Sequence, residues 1–246
     1  MIAVARVVAE ADVGGVTRLR VLRSAAPLLL RPTPAGVYLV GGAGGPLGGD
    51  DLRLQIEVGA GASLTVRTAA SSVILPGPHG GASRFEIEAT VGHNGFLCWL
   101  PEPTVAAGRC CHRACARVIT DARATVVWRE ELLLGRHGEA PGSYDSAVAL
   151  DIGSRPVLRQ NLSIGGLAPG WSGPAVTGDC RAVGSVVVVD PAWIDEPPPS
   201  VMLDRRASVL ALPGPAVQVT ALADDAVDLR RLLDLGMERA EPVRGL

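Results

Sequence analysis

Val40-Gly41-Gly42-Ala43-Gly44-Gly45-Pro46-Leu47-Gly48-Gly49-Asp50-Asp51 runs into Leu52-Arg53-Leu54-Gln55-Ile56-Glu57-Val58, then Gly59-Ala60-Gly61-Ala62, then Ser63-Leu64-Thr65-Val66. The first part sets six glycines around one proline, a density that only closely approached or positive-φ backbone requires. The second part alternates without a break, with Leu52, Leu54, Ile56 and Val58 on one face and Arg53, Gln55 and Glu57 on the other, as a half-buried strand does. The Gly59–Gly61 turn is expected to reverse the chain into Leu64 and Val66. A phosphate cradle is excluded: no Gly-Lys-Ser/Thr opens a helix, a strand follows instead, and the loop ends on the anionic pair Asp50-Asp51. The loop reads as a tightly folded connection between strands.

Working outward, the same pattern returns 33 residues later. Phe85, Ile87, Ala89 and Val91 oppose Arg84, Glu86, Glu88 and Thr90. A Val-Gly turn follows, and Leu97 stands where Leu64 stood. Asn94-Gly95 adds a hairpin signal. A looser third copy runs through Arg117–Val127. A supersecondary unit repeated at this period predicts stacked hairpins or a β-helix-like solenoid. Further strands are expected at Ile2–Val8, Thr17–Leu22, Val37–Val40, Leu64–Val73, Phe96–Leu100, Ser146–Ile152, Val157–Ile164, Arg181–Val189, Ser208–Leu212 and Ala216–Leu222. One helix is signalled, capped by Asp224 or Asp225 and ended by Gly236, with Val227, Leu232 and Leu235 on one side. Its shortness suggests partner docking and not a place in the β core. The fold class is mainly β with a short C-terminal helical part, in a single domain over 1–246.

Composition narrows the function. Hydrophobic residues make up 48% of 246, enough for a core, and the formal charge is −2. With 3% aromatics and no basic face there is no basis for nucleic-acid binding. All 23 basic residues are arginine, which removes Schiff-base and P-loop lysine chemistry. The five cysteines lack framework spacing, no signal peptide opens the chain and no apolar run reaches a membrane span. A cytoplasmic protein without a membrane segment is expected.

The search for chemistry finds few candidates. In Cys110-Cys111-His112-Arg113-Ala114-Cys115, a strand would split Cys111 and Cys115 from Cys110 and His112, so four ligands cannot converge without a second segment. Buried free thiols are the simpler reading, and a transient soft-ligand role stays open. The four histidines stand singly, and no Gly-x-Ser-x-Gly elbow exists. More informative are carboxylates in apolar settings: Asp50 after the glycine loop, Glu102 between Pro101 and Pro103, and Glu130 with Glu131 between Trp128 and Leu132. Buried there, they would require arginine partners or line a polar passage.

These pieces, in order, resemble the UreD (UreH) family of urease accessory proteins. Gly44-Gly45-Pro46-Leu47-Gly48-Gly49-Asp50 is similar to its Gly-Gly-x-x-Gly-Gly-Asp signature. Leu64–Ala70, Trp99-Leu100-Pro101-Glu102-Pro103-Thr104-Val105, Glu130 with Leu134-Gly135-Arg136 and Glu139, and Gly153-x-Arg155-Pro156-Val157-Leu158 complete the series, clearest over residues 15–165. The resemblance implies a β-helix-like, non-catalytic assembly factor that binds urease apoprotein and joins the accessory proteins UreF and UreG, the latter a GTPase, for nickel delivery. It implies no intrinsic cofactor, with nickel held at most transiently, and it transfers no nickel ligands. Two other readings stand beside it: a β-solenoid hydrolase using paired carboxylates, and a β-rich interaction module without a link to urease.

Overall fold

The computed structural model describes residues 1–240. In chain order its strands are β1 (Ile2–Ala11), β2 (Thr17–Arg23), β3 (Leu28–Thr33), β4 (Gly36–Gly41), β5 (Asp51–Val58), β6 (Ser63–Thr68), β7 (Ser72–Ile74), β8 (Ser83–Val91) and β9 (Phe96–Leu100). There follow β10 (Thr104–Ala106), β11 (Cys111–Thr120), β12 (Thr125–Leu133), β13 (Ser143–Ile152), β14 (Arg155–Ile164), β15 (Ala182–Val189), β16 (Val201–Asp204), β17 (Ala207–Ala211) and β18 (Ala216–Ala223). One α-helix, α1 (Ala226–Arg239), ends the described residues. No helix among them is long and apolar enough to cross a membrane.

The strands form two facing sheets. The first has the order β14-β13-β11-β8-β5-β1-β2, and the main path of the second is β16-β17-β18-β15-β12-β9-β6-β4-β3. The repeat is real and the register states it: Leu52 pairs with Phe85 and Leu64 with Leu97, both in parallel. The looser third copy is the next coil, where Arg117 lies beside Glu88 and Val127 beside Cys98. The chain winds as a solenoid of parallel coils, β5-β6, β8-β9 and β11-β12, one strand of each coil in each sheet.

Neither expected hairpin turn makes a hairpin. Gly59–Gly61 carries the chain from β5 in the first sheet to β6 in the second, and Asn94-Gly95 does the same between β8 and β9. The reason is burial. Leu54 and Ile56 on β5 and Leu64 and Val66 on β6 must reach one core, and only an arch between facing sheets points both sets inward. The turns stack as the strands do, with Gly92 N–H donating to Val58 O at 2.8 Å and Asp121 N–H to Val91 O at 2.9 Å. Sequence reading missed β3, because Pro32 argued against a strand; β3 is an edge, where a missing N–H costs no ladder bond. The expected strand Leu64–Val73 is broken between β6 and β7.

The helix departs from expectation in three ways. Asp225 caps it, accepting from Val227 N–H and Asp228 N–H at 2.9 Å each, but it continues past Gly236 to Arg239. Gly236 is there because any Cβ would collide with the Val219 side chain. The buried face is Leu229, Leu232, Leu233, Gly236 and Met237, while Val227 and Leu235 point outward. α1 therefore seals the outer face of the second sheet, in one apolar cluster with Val186, Val188, Val217 and Val219, and is part of the core.

Candidate functional site

Positions facing the space between the sheets change chemistry part-way along the strands. Towards the arches they are apolar: Val118 on β11, Val126 and Trp128 on β12, Leu150 on β13 and Val187 on β15 share one buried cluster. Two residues further at each step, the inward positions become His112, Glu130, Tyr144 with Ser146, Gln160 on β14, Ser185, and Thr220 on β18. Short polar side chains neither interdigitate like branched alkyl groups nor tolerate dry burial without partners. A cavity of about 500 Å³ lies between the sheets at this level. Beside it, Gln218 Nε2 donates to Gln160 Oε1 at 2.5 Å, tying the two sheets.

Glu130 is the carboxylate inside. Trp128 Nε1 donates to its Oε1 at 3.1 Å, and Trp128 stacks on Trp99 with ring centroids 5.4 Å apart. Burial pushes the Glu130 carboxyl up to about 7, opposed only by that indole bond. Opposite, burial raises the Tyr144 phenol, reinforced by the Glu130 charge. The His112 ring stacks on Tyr144 at 5.5 Å and its Nδ1 lies 2.7 Å from Ser83 Oγ. Burial pulls His112 down to about 4, so it is neutral at pH 7.

Glu102 stands at the cavity's edge. Its N–H donates to Thr68 Oγ1 at 2.8 Å, and its side chain, 43% exposed, lies 3.2 Å from Arg230 Nη2. Glu131 lies on the other face of β12, fully sealed, between Arg129 Nη1 at 3.5 Å and Arg230 Nη2 at 3.2 Å. Asp50 is not on the cavity wall. It is buried, binds the Met1 amino group and accepts Leu47 N–H at 2.9 Å, closing the glycine loop from within. The loop itself, Gly41 to Pro46, borders the cavity.

The signature residues hold backbone in place. Gly49 has φ +91°, Gly45 has φ +139°, and a Cβ on Gly48 would stand 2.6 Å from Gly77 N and 2.7 Å from Gly81 O; Gly44 has open space around it. Gly135, at φ +85°, makes a turn that Arg136 locks onto Glu139 with two bonds of 2.9 Å. Arg136 holds the Glu139 carboxyl down to about 2. The cysteine motif is split by its strand, with Cys110 buried alongside Tyr144 and Cys111 and Cys115 half-exposed on the outer face. Among the described residues no three histidines, cysteines or carboxylates gather as a metal centre.

Of the carboxylates singled out from the sequence, Glu102 and Glu130 line the cavity and Asp50 does not, while His112, Ser146, Gln160, Ser185 and Thr220 line it without having been singled out for it. Polar residues at inward parity in otherwise apolar strands were the signal, and it needs the facing sheets to be recognised.

Comparison with known proteins supplies the family. The family model described as "UreD urease accessory protein" matches residues 2–244. The chain is 44% identical to a urease accessory protein UreD of Parafrankia sp. (strain EAN1pec), over 92% of this chain and 84% of that protein. It is 44% identical to the UreD of Streptomyces avermitilis, over 94% of each. Against the UreD of Streptomyces coelicolor identity is 43%, over 94% of this chain and 93% of that one. The chain belongs to the UreD family of urease accessory proteins.

Proposed function

We propose that this chain acts in the cytoplasm as a non-catalytic scaffold for urease maturation, binding urease apoprotein together with UreF and UreG while nickel is inserted into the urease site. Its own part is to offer nickel a polar way through the β scaffold. The observation that carries this reading is the cavity of about 500 Å³ between the sheets, with Glu130 inside and Glu102 at its edge. Glu102 and Glu130 are the path residues. Asp50, first grouped with them by its sequence setting, serves by shaping the loop at the border.

Nickel is cargo here, not a resident cofactor. Carboxylate and imidazole suit a borderline divalent ion, and hydroxyl and amide oxygens replace part of its water. With its carboxyl pushed up to about 7, Glu130 is about half protonated near neutral pH when the cavity is empty. An arriving dication favours its charged form, so uptake releases a proton. The hydrolase reading gains nothing from the geometry, since Glu130 and Glu131 face opposite sides of β12 and Glu102 is engaged by Arg230.

The test is co-expression of urease and the other accessory proteins with and without this chain, under limiting nickel. Urea hydrolysis should depend on the chain, and equal activity in both would end the scaffold reading. Glu130→Gln and Glu102→Gln should assemble normally yet lower the nickel content of the matured urease. Full loading in both would end the passage.

A further inference from the structure

Two concavities meet at one point on this molecule. The interior cavity and a groove of about 670 Å³ along the outer side of α1 both have Ser71 and Glu102 in their walls. Arg230, on α1, reaches over that junction. Its Nε and Nη2 grip the two oxygens of Glu131 at 3.2 Å each, and Nη2 also binds Glu102 Oε2 at 3.2 Å. The anchor side is fixed, because Glu131 is fully buried on a central strand. Glu102 lies in a short segment between Pro101 and Pro103, whose nitrogens carry no hydrogen to donate, and its own N–H is held by Thr68 Oγ1 at 2.8 Å. Behind it, Ser72 N–H donates to Pro103 O at 3.1 Å, so the segment carries β7 with it, and Ser72 and Val73 line the cavity.

We propose that Arg230 is a positioning residue that latches the rim of the interior cavity to helix α1, so that the rim opens when the Arg230–Glu102 contact is released. The two grips differ in kind: one is bidentate to a buried carboxylate, the other a single bond at the surface. Exposed ion pairs of that sort break readily. When α1 shifts or the pair is screened, the Glu102 end lets go first while Glu131 keeps the helix in place. The released rim has an unpaired carboxylate facing the entrance, which suits a cation. The latch gives the nickel passage proposed above its regulation and rests on that reading for its purpose, though not for its existence.

Hydrogen exchange on the purified full chain, without nickel or partners, reads the latch directly. Glu102→Gln removes the surface arm and leaves the Arg230–Glu131 grip. It should raise exchange of the amides in residues 69–76 and 101–106 by roughly two- to fivefold, the ratio that losing one exposed ion pair gives, while α1 stays protected. Arg230→Met removes both arms, so it should loosen the rim likewise and α1 as well, since Glu131 loses a buried partner, while Arg230→Lys, which keeps a charge but cannot span both carboxylates, should loosen both less. Acrylamide should quench tryptophan fluorescence faster in Glu102→Gln, as Trp99 lines the cavity. Unchanged exchange of both rim segments in Glu102→Gln, or a rise spread evenly over α1 in that variant, would overturn the proposal. A rim that loosens while urease nickel content is unaltered would keep the latch and remove the passage.

Discussion

Glu130 and Glu131 are neighbours on β12 and look in opposite directions, the first into the cavity beneath a Trp128 indole bond, the second into a sealed contact with Arg129 and Arg230 under α1. Strand periodicity places them so. Two equal carboxyl groups on one strand therefore answer to different surroundings, and substitutions at the two positions should have opposite consequences.

For Glu130 the effect depends on pH. Its folded value of about 7 exceeds the ordinary 4.5, so the folded protein binds the proton more tightly than the unfolded chain. Stability from this group is fully present below about 4.5 and is lost as pH rises through 7. Glu130→Gln should match wild type at pH 4.5 and exceed it at pH 8, by on the order of 2 kcal/mol. Thermal melting across that range checks it; parallel curves would show that the carboxyl is not desolvated.

For Glu131 the loss is simpler. Glu131→Ala leaves the buried Arg129 only its bond to Asp234 and Arg230 only its surface bond to Glu102, so the loss should approach the lower end of the roughly 3–5 kcal/mol that breaking a buried pair from one side costs. Chemical denaturation at neutral pH should show it. Wild-type stability would mean that water enters beneath α1 and solvates the arginines.

In the glycine loop the signature residues should divide. Gly48→Val drives a side chain into the backbone of Gly77 and Gly81, and Gly49→Val places a branched residue at φ +91°. Each should cost about 1–3 kcal/mol. Gly44→Ala, with open space and no positive φ, should be neutral. Equal melting temperatures for all three would mark the loop as loosely held.

Truncation after Leu222 should abolish soluble expression, because it strips Leu229 and Leu233 from the valines of β15 and β18. Leu233→Ala alone should cost about 2–5 kcal/mol, whereas Val227→Ser, at an exposed site, should leave folding unchanged. A truncated chain that stays folded would return α1 to a docking role.

What the sequence determined by itself is local or repetitive. The alternation in Leu52–Val58, its return at Phe85–Val91 and the offset of 33 residues specified stacked repeating units, since identical units bury their apolar faces by stacking, and left stacked hairpins and parallel coils both open. The Asp224-Asp225 pair marked the start of α1, where Asp225 is the cap, because a cap needs only its own first turn. Tertiary structure decided what depends on facing partners. Whether Gly59–Gly61 makes a hairpin or an arch turns on which sheet receives Leu64, and whether Gly236 ends a helix turns on Val219. The cavity belongs to the same class. Ser146, Gln160, Ser185 and Thr220 are unremarkable on their own strands, and only the packing of one sheet over the other brings them around Glu130. A polar residue's cost or use is set by what lies across from it, and in a solenoid that residue sits on the opposite sheet, beyond the reach of a local sequence pattern.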